Sequence, residues 1–138
     1  MNYGVIDVGS NTVRLCVYDV LCPEKRKFKT IMNRKIMAGL AAYIVDGAFS
    51  DEGIAEAVLA VKKCLKRASY LSPDRVDVFA TAVLRNVSNS AQAIAAIEQG
   101  AGCSISLLSN SDEAHLGFVG ASSRGALDNG ALIDIGGG

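Results

Sequence analysis

Two phrases in this chain join a carboxylate to glycine in the same way. The first is Val5-Ile6-Asp7-Val8-Gly9-Ser10-Asn11-Thr12; the second is Leu132-Ile133-Asp134-Ile135-Gly136-Gly137-Gly138. Each sets an acid inside an apolar β-branched run just ahead of glycine. Burying a carboxylate is costly unless something compensates. A metal ion, or an ordered water beside phosphate, would do so. Gly9 lets the backbone come close, so this turn can aim N–H groups and the hydroxyls of Ser10 and Thr12 at an anion. An ordinary hairpin turn also carries Gly-Ser-Asn, but the acid within the strand favours an anion-binding role. A lone glycine triplet is weak evidence. As the partner of the first loop it is stronger, because two such loops facing each other would pinch a phosphate chain.

Two further stretches carry reactive groups. Arg85 lies in Ala80-Thr81-Ala82-Val83-Leu84-Arg85-Asn86, after an apolar strand. Strand ends in α/β sheets are where ligands sit, and a guanidinium fork suits phosphate. Read alone, Arg85 is better taken as a surface arginine. Ser109-Asn110-Ser111-Asp112-Glu113-Ala114-His115 lies where a strand hands over to a helix. Acids in a first helical turn are most often dipole partners, and the residues alone favour that reading. The alternative makes Glu113 a general base that activates water. His115 reads as a helix-surface residue.

The elements that must position these groups follow from periodicity. Tyr3 to Val8, Val13 to Val20 and Lys27 to Met37 read as strands. Their short links predict antiparallel pairing. Gly39 to Gly47 reads as a loop. Ser50 is placed to cap a helix whose stripe is Ile54, Ala57, Val58, Val61 and Leu65. Val76 to Ala80 is a buried strand, and Ser90 to Gln99 a second helix with Gly100 as its left-handed cap. Ser104 to Leu108 is a strand, and Ser111 is placed to cap a third helix ending near Ser122. The order predicts one mixed, five-stranded sheet with flanking helices. The last strand is surplus to it and repeats the first phrase. It therefore reads as the start of a second lobe, with residues 1–130 as the first lobe and 131–138 as the opening strand and glycine loop of the next.

Composition narrows the function classes. The chain has 138 residues, 50% of them hydrophobic and 20% charged, which describes a globular domain. A formal net charge of zero argues against general nucleic-acid binding. No apolar run approaches a membrane span, and the amino terminus lacks the basic flank of a signal peptide. Cys16, Cys22, Cys64 and Cys103 form no CxxC pair and no metal spacing with His115. Reduced thiols in a cytoplasmic protein are expected.

Taken together, these stretches resemble the exopolyphosphatase/guanosine pentaphosphate phosphohydrolase (Ppx/GppA) family, a branch of the actin-like, sugar-kinase-like and Hsp70-like ATPase fold. The matching residues are 6–15, Gly47-Ala48-Phe49-Ser50, 80–86, Asp112-Glu113-Ala114 and 133–138. The resemblance implies an α/β lobe of ribonuclease-H-like fold. It makes Gly9, Ser10, Asn11 and Thr12 the first phosphate loop and Gly136, Gly137 and Gly138 the second. Asp7 and Asp134 would help hold Mg²⁺, Arg85 would contact phosphate, and Glu113 would activate water. The family usually has two glutamates before the alanine and an arginine after it. Asp112 and His115 depart from that pattern, which leaves the base between Asp112 and Glu113.

The implied activity is hydrolysis of a phosphoanhydride, releasing orthophosphate from polyphosphate or a guanosine pentaphosphate-type nucleotide. The alternatives are a kinase of the same superfold and a non-catalytic phosphate- or nucleotide-binding module. This chain by itself is expected to be nearly inactive. It is also expected to form a homodimer through apolar surface near Val119, Leu132 and Ile133.

Overall fold

Alternating apolar and polar residues commit the first part of the chain to strands. The computed structural model describes residues 1–25, 27–123 and 133. Its first strands are β1 (Asn2–Val8), β2 (Thr12–Cys22) and β3 (Lys27–Met37), paired antiparallel as expected. Val13, Leu15 and Val17 share the buried face of β2, and Arg14, Cys16 and Tyr18 share the other.

The segment read as a loop holds local structure. A 3-10 turn at Leu40–Tyr43 leads into a small ladder of β4 (Ile44–Val45) and β5 (Ala48–Phe49). Burial of Leu40 and Phe49 draws the segment onto the core. Then come α1 (Asp51–Ser69), β6 (Arg75–Ala80), the short α2 (Ala82–Arg85), α3 (Ser90–Ala101), β7 (Ile105–Leu107) and α4 (Asn110–Ser122).

One five-stranded sheet runs in the order β3-β2-β1-β6-β7. β1, β6 and β7 are parallel, while β2 and β3 are antiparallel to their neighbours. Ile6, Val8, Val13, Leu15, Val17, Val78 and Ala80 turn one face of it toward the core. Helix α1 meets that face through Ala57, Ala60, Cys64 and Ala68, with Val61 among them. The small residues sit at the centre and allow close approach. Ile54, Val58 and Leu65 of the expected stripe flank them, partly buried. Ser50 caps α1, accepting from the Gly53 N–H at 3.1 Å.

Two expected caps are displaced. Gly102, not Gly100, takes the left-handed conformation that ends α3, at φ 72°. Gly100 lies inside the helix, where a Cβ would come within 2.7 Å of Val58 Cγ2. It is glycine so that α3 can approach α1. Ser109, not Ser111, caps α4, accepting from the Asp112 N–H at 3.1 Å.

The four cysteines are free thiols. Among the described residues, no helix is long and apolar enough to cross a membrane. The boundary drawn between 130 and 131 lies outside the described residues, as does the surplus strand apart from Ile133.

Candidate functional site

Strand register gathers three of the four stretches. Val8 of β1 pairs with Ala80 of β6, and Ala80 pairs with Leu107 of β7. The segments that leave these strands therefore share the carboxyl edge of the parallel set, the ordinary ligand position in such sheets. Two bonds tie them: Thr81 Oγ1 donates to the Val8 carbonyl at 3.5 Å, and the Leu108 N–H to the Ala80 carbonyl at 2.9 Å.

The first loop is a tight hairpin turn. The Gly9 N–H donates to the Thr12 carbonyl at 3.0 Å, so this donor closes the turn and is not aimed outward. A neighbouring segment clamps the loop from the other side. Ala38 and Gly39 N–H groups donate to the Asn11 carbonyl at 3.1 and 3.0 Å, and the Ala41 N–H to the Ser10 carbonyl at 2.9 Å. Ser10 is only 8% exposed and is the buried polar side chain among the described residues. Asn11 is exposed and Thr12 half-buried.

Asp7 corrects an expectation. The carboxylate is exposed, not buried, because strand alternation puts Ile6 and Val8 on the core face and Asp7 on the opposite one. Asp7 stands between Arg14 of β2 and Phe79 of β6 in register. A hard, exposed carboxylate at a strand end suits Mg²⁺, which keeps several waters and needs only one or two protein carboxylates beside phosphate. Among the described residues, no three His, Cys, Asp or Glu side chains form a ligand set. Asp134, Gly136, Gly137 and Gly138 lie outside the described residues, and so does the expected facing of the two loops.

The strongest contact at this edge joins Arg85 to Glu113. Arg85 ends α2 and is 17% exposed. Its Nη1 donates to Glu113 Oε2 at 2.9 Å and to the Leu108 carbonyl at 2.7 Å. Its Nε is buried with no hydrogen-bond partner among the described residues. An orphaned guanidinium N–H is costly, and an anionic oxygen would satisfy it. The surface-arginine reading therefore fails.

Asp112 does different work. Its carboxylate accepts from the Ser109 hydroxyl at 2.6 Å while its N–H donates back to that oxygen. The pair is a reciprocal cap, and the Ser-x-x-Asp spacing could have revealed it. Glu113, next along the turn, is left facing Arg85. His115 is exposed on α4, as expected.

A family model described as the Ppx/GppA phosphatase family matches residues 22–138. The chain belongs to this family. A Ppx/GppA family member from Aquifex aeolicus superposes with a TM-score of 0.78 at 20% identity, over 89% of this chain and 40% of that one. An exopolyphosphatase from Cytophaga hutchinsonii gives 0.79 at 26% identity, over 88% and 38%. The ethanolamine utilization protein EutJ from Carboxydothermus hydrogenoformans gives 0.52 at 17% identity, over 86% and 40%. The fold is thus that of a Ppx/GppA lobe in the actin-like, sugar-kinase-like ATPase class. This chain spans about two fifths of the length of these structures.

Proposed function

We propose that this chain forms the first lobe of a phosphohydrolase that releases orthophosphate from the end of a phosphoanhydride chain, either inorganic polyphosphate or a guanosine pentaphosphate-type nucleotide. The Arg85–Glu113 bond carries this reading, because it gives a candidate base a fixed orientation beside an unsatisfied anion donor. In the reaction, water attacks the terminal phosphorus and its proton passes to the Glu113 carboxylate. The bridging P–O bond breaks, and the chain leaves one phosphate shorter. Arg85 positions Glu113 through Nη1 and offers Nε to a phosphoryl oxygen. Ser10, Asn11 and Thr12 in the clamped turn, with Gly9 keeping it tight, form the first phosphate loop, and Gly136, Gly137 and Gly138 the second.

Asp7 and Asp134 would hold Mg²⁺, which when bound neutralises charge on the phosphates. Residues 1–130 would form the first lobe and 131–138 open the second. One lobe leaves the cleft open to water, so this chain alone would turn over poorly. Leu116, Phe118 and Val119 on α4 are 38–51% exposed and favour self-association. A cytoplasmic setting fits the free thiols.

The test is orthophosphate release with Mg²⁺ from polyphosphate and from guanosine pentaphosphate by the full-length protein. Release without any added acceptor is expected. Turnover of ATP only when an acceptor is present would establish the kinase. Binding with no turnover would establish the regulatory module.

A further inference from the structure

Asn89 precedes α3 at the position where an asparagine side chain ordinarily caps a helix, yet it makes no capping bond. Its amide is engaged elsewhere, on the backbone of Phe49, 40 residues away in sequence. Oδ1 accepts from the Phe49 N–H at 2.8 Å, and Nδ2 donates to the Phe49 carbonyl at 2.9 Å. One side chain thus pairs with both polar groups of one residue, as a peptide unit of a neighbouring strand would. The Ser88 N–H adds a bond to the Gly47 carbonyl at 2.8 Å. Phe49 is only 2% exposed, so its backbone groups lie where a lost partner is costly.

This bracket joins two pieces too short to hold themselves. Helix α2, which ends in Arg85, has four residues, and a helix of that length has no stability of its own. Strands β4 and β5 have two residues each, and an isolated hairpin is marginal. Thr81 ties the near end of α2 to Val8. Ser88 and Asn89 tie its far end to β5. From β5 the bonds continue toward the first loop. The Ser50 N–H donates to the Tyr43 carbonyl at 3.0 Å, and the turn at Leu40–Tyr43 holds the Ser10 carbonyl through the Ala41 N–H. Arg85 and Ser10 therefore lie at the two ends of one hydrogen-bonded path, and Asn89 supplies the side-chain link in it.

We propose that Asn89 is a positioning residue that fixes Arg85 against the first phosphate loop. The proposal rests on the phosphohydrolase reading and adds to it a residue that acts through Arg85. With the amide in place, the far end of α2 cannot drift. Arg85 Nη1 stays on Glu113, and Nε stays where a phosphoryl oxygen can reach it. Without the amide the turn loosens and both contacts are misplaced, which slows the chemical step.

The test is a double-mutant cycle in the full-length protein, pairing Asn89→Asp and Asn89→Ala with Arg85→Ala. Aspartate caps a helix as well as asparagine does. It lacks the amide donor, and its charge would face the Phe49 carbonyl. A capping role therefore leaves Asn89→Asp unaffected, whereas the bracket is broken by it. With tripolyphosphate and Mg²⁺, both Asn89 variants should lower kcat about 10- to 100-fold, at temperatures where circular dichroism shows them folded. In the Arg85→Ala background the same changes should alter kcat by less than about twofold. The Kd of tripolyphosphate should follow the same pattern, rising about tenfold with Arg85 present and staying constant without it.

Parent-like kcat and Kd for Asn89→Asp would overturn the proposal, and so would equal losses in the two backgrounds. Failure of both Asn89 variants to fold would make Asn89 a residue of folding and overturn it as well. If the parent protein binds tripolyphosphate without hydrolysing it, the phosphohydrolase reading fails, and the Kd cycle alone decides the role of Asn89. Absence of binding by the parent would overturn both.

Discussion

Helices α1 and α3 bury Ala57, Ala60, Val61, Cys64, Ala93 and Ile97 against one face of the sheet, whereas α4 buries no residue of its own. On the first face, apolar packing supplies the stability. On the other, polar side chains of β1 and β6 bond to one another across the sheet: Tyr3 donates to Asp77, and Arg75 pairs with Asp77 at 2.9 Å. The difference teaches where chemistry can be placed. Arg85 projects from the packed side, Glu113 from the loosely held helix, and one charge-assisted bond spans the two.

This contrast can be broken first at its strong side. Ile97 is fully buried, so Ile97→Ala should lower the unfolding free energy by about 2–5 kcal/mol in denaturant titration. A loss below 1 kcal/mol would show that α3 is not part of the stabilising face. Gly100→Ala probes the α1–α3 contact. Its Cβ would crowd Val58, a cost of about 1–3 kcal/mol that alanine's better helix propensity reduces by about 1. A more stable variant would mean that the helices have room between them.

The polar side should respond to pH. The Tyr3 hydroxyl bond holds the Asp77 carboxyl below its ordinary range, and the same bond raises the Tyr3 phenol above its own. A depressed carboxylate contributes stability that is present above its unfolded pKa and lost as pH falls through the folded value. A raised phenol contributes stability that is present below its unfolded pKa and lost as pH rises through the folded value. Tyr3→Phe should therefore flatten both limbs of a plot of Tm against pH. Limbs identical to those of the parent would exclude the bond as their source. The smallest effect is expected at Leu116, which is 48% exposed: at dilutions where the chain is monomeric, Leu116→Ala should change stability by less than about 0.5 kcal/mol. A cost of several kcal/mol at those dilutions would show that Leu116 is packed within the monomer, whereas a cost that grows with protein concentration is the mark of the self-association proposed for α4.

Much of the lobe was legible because short-range chemistry decides it. Alternation in Val13 to Val17, the Ser50 cap and the turn at Gly9 depend on residues a few positions apart, and each came out as read. The errors arose where two nearby residues compete for one role, as Gly100 with Gly102 and Ser111 with Ser109. Packing of α3 on α1 decided the first. A reciprocal side-chain bond decided the second. Asp7 was misread as buried because sequence alternation does not say which face a helix covers. The Arg85–Glu113 bond was not legible at all: its partners lie 28 residues apart and meet only through the register of β6 and β7.

The assembled strand edge is tested most directly by kcat for orthophosphate release in the full-length protein, comparing Glu113→Gln with Asp112→Asn. Loss of a general base typically costs about 10²–10⁴ in rate, and that loss is expected for Glu113→Gln. Asp112→Asn removes part of a helix cap and should leave kcat within a few-fold of the parent. A large loss with Asp112→Asn and a small one with Glu113→Gln would contradict the assignment and make Asp112 the base.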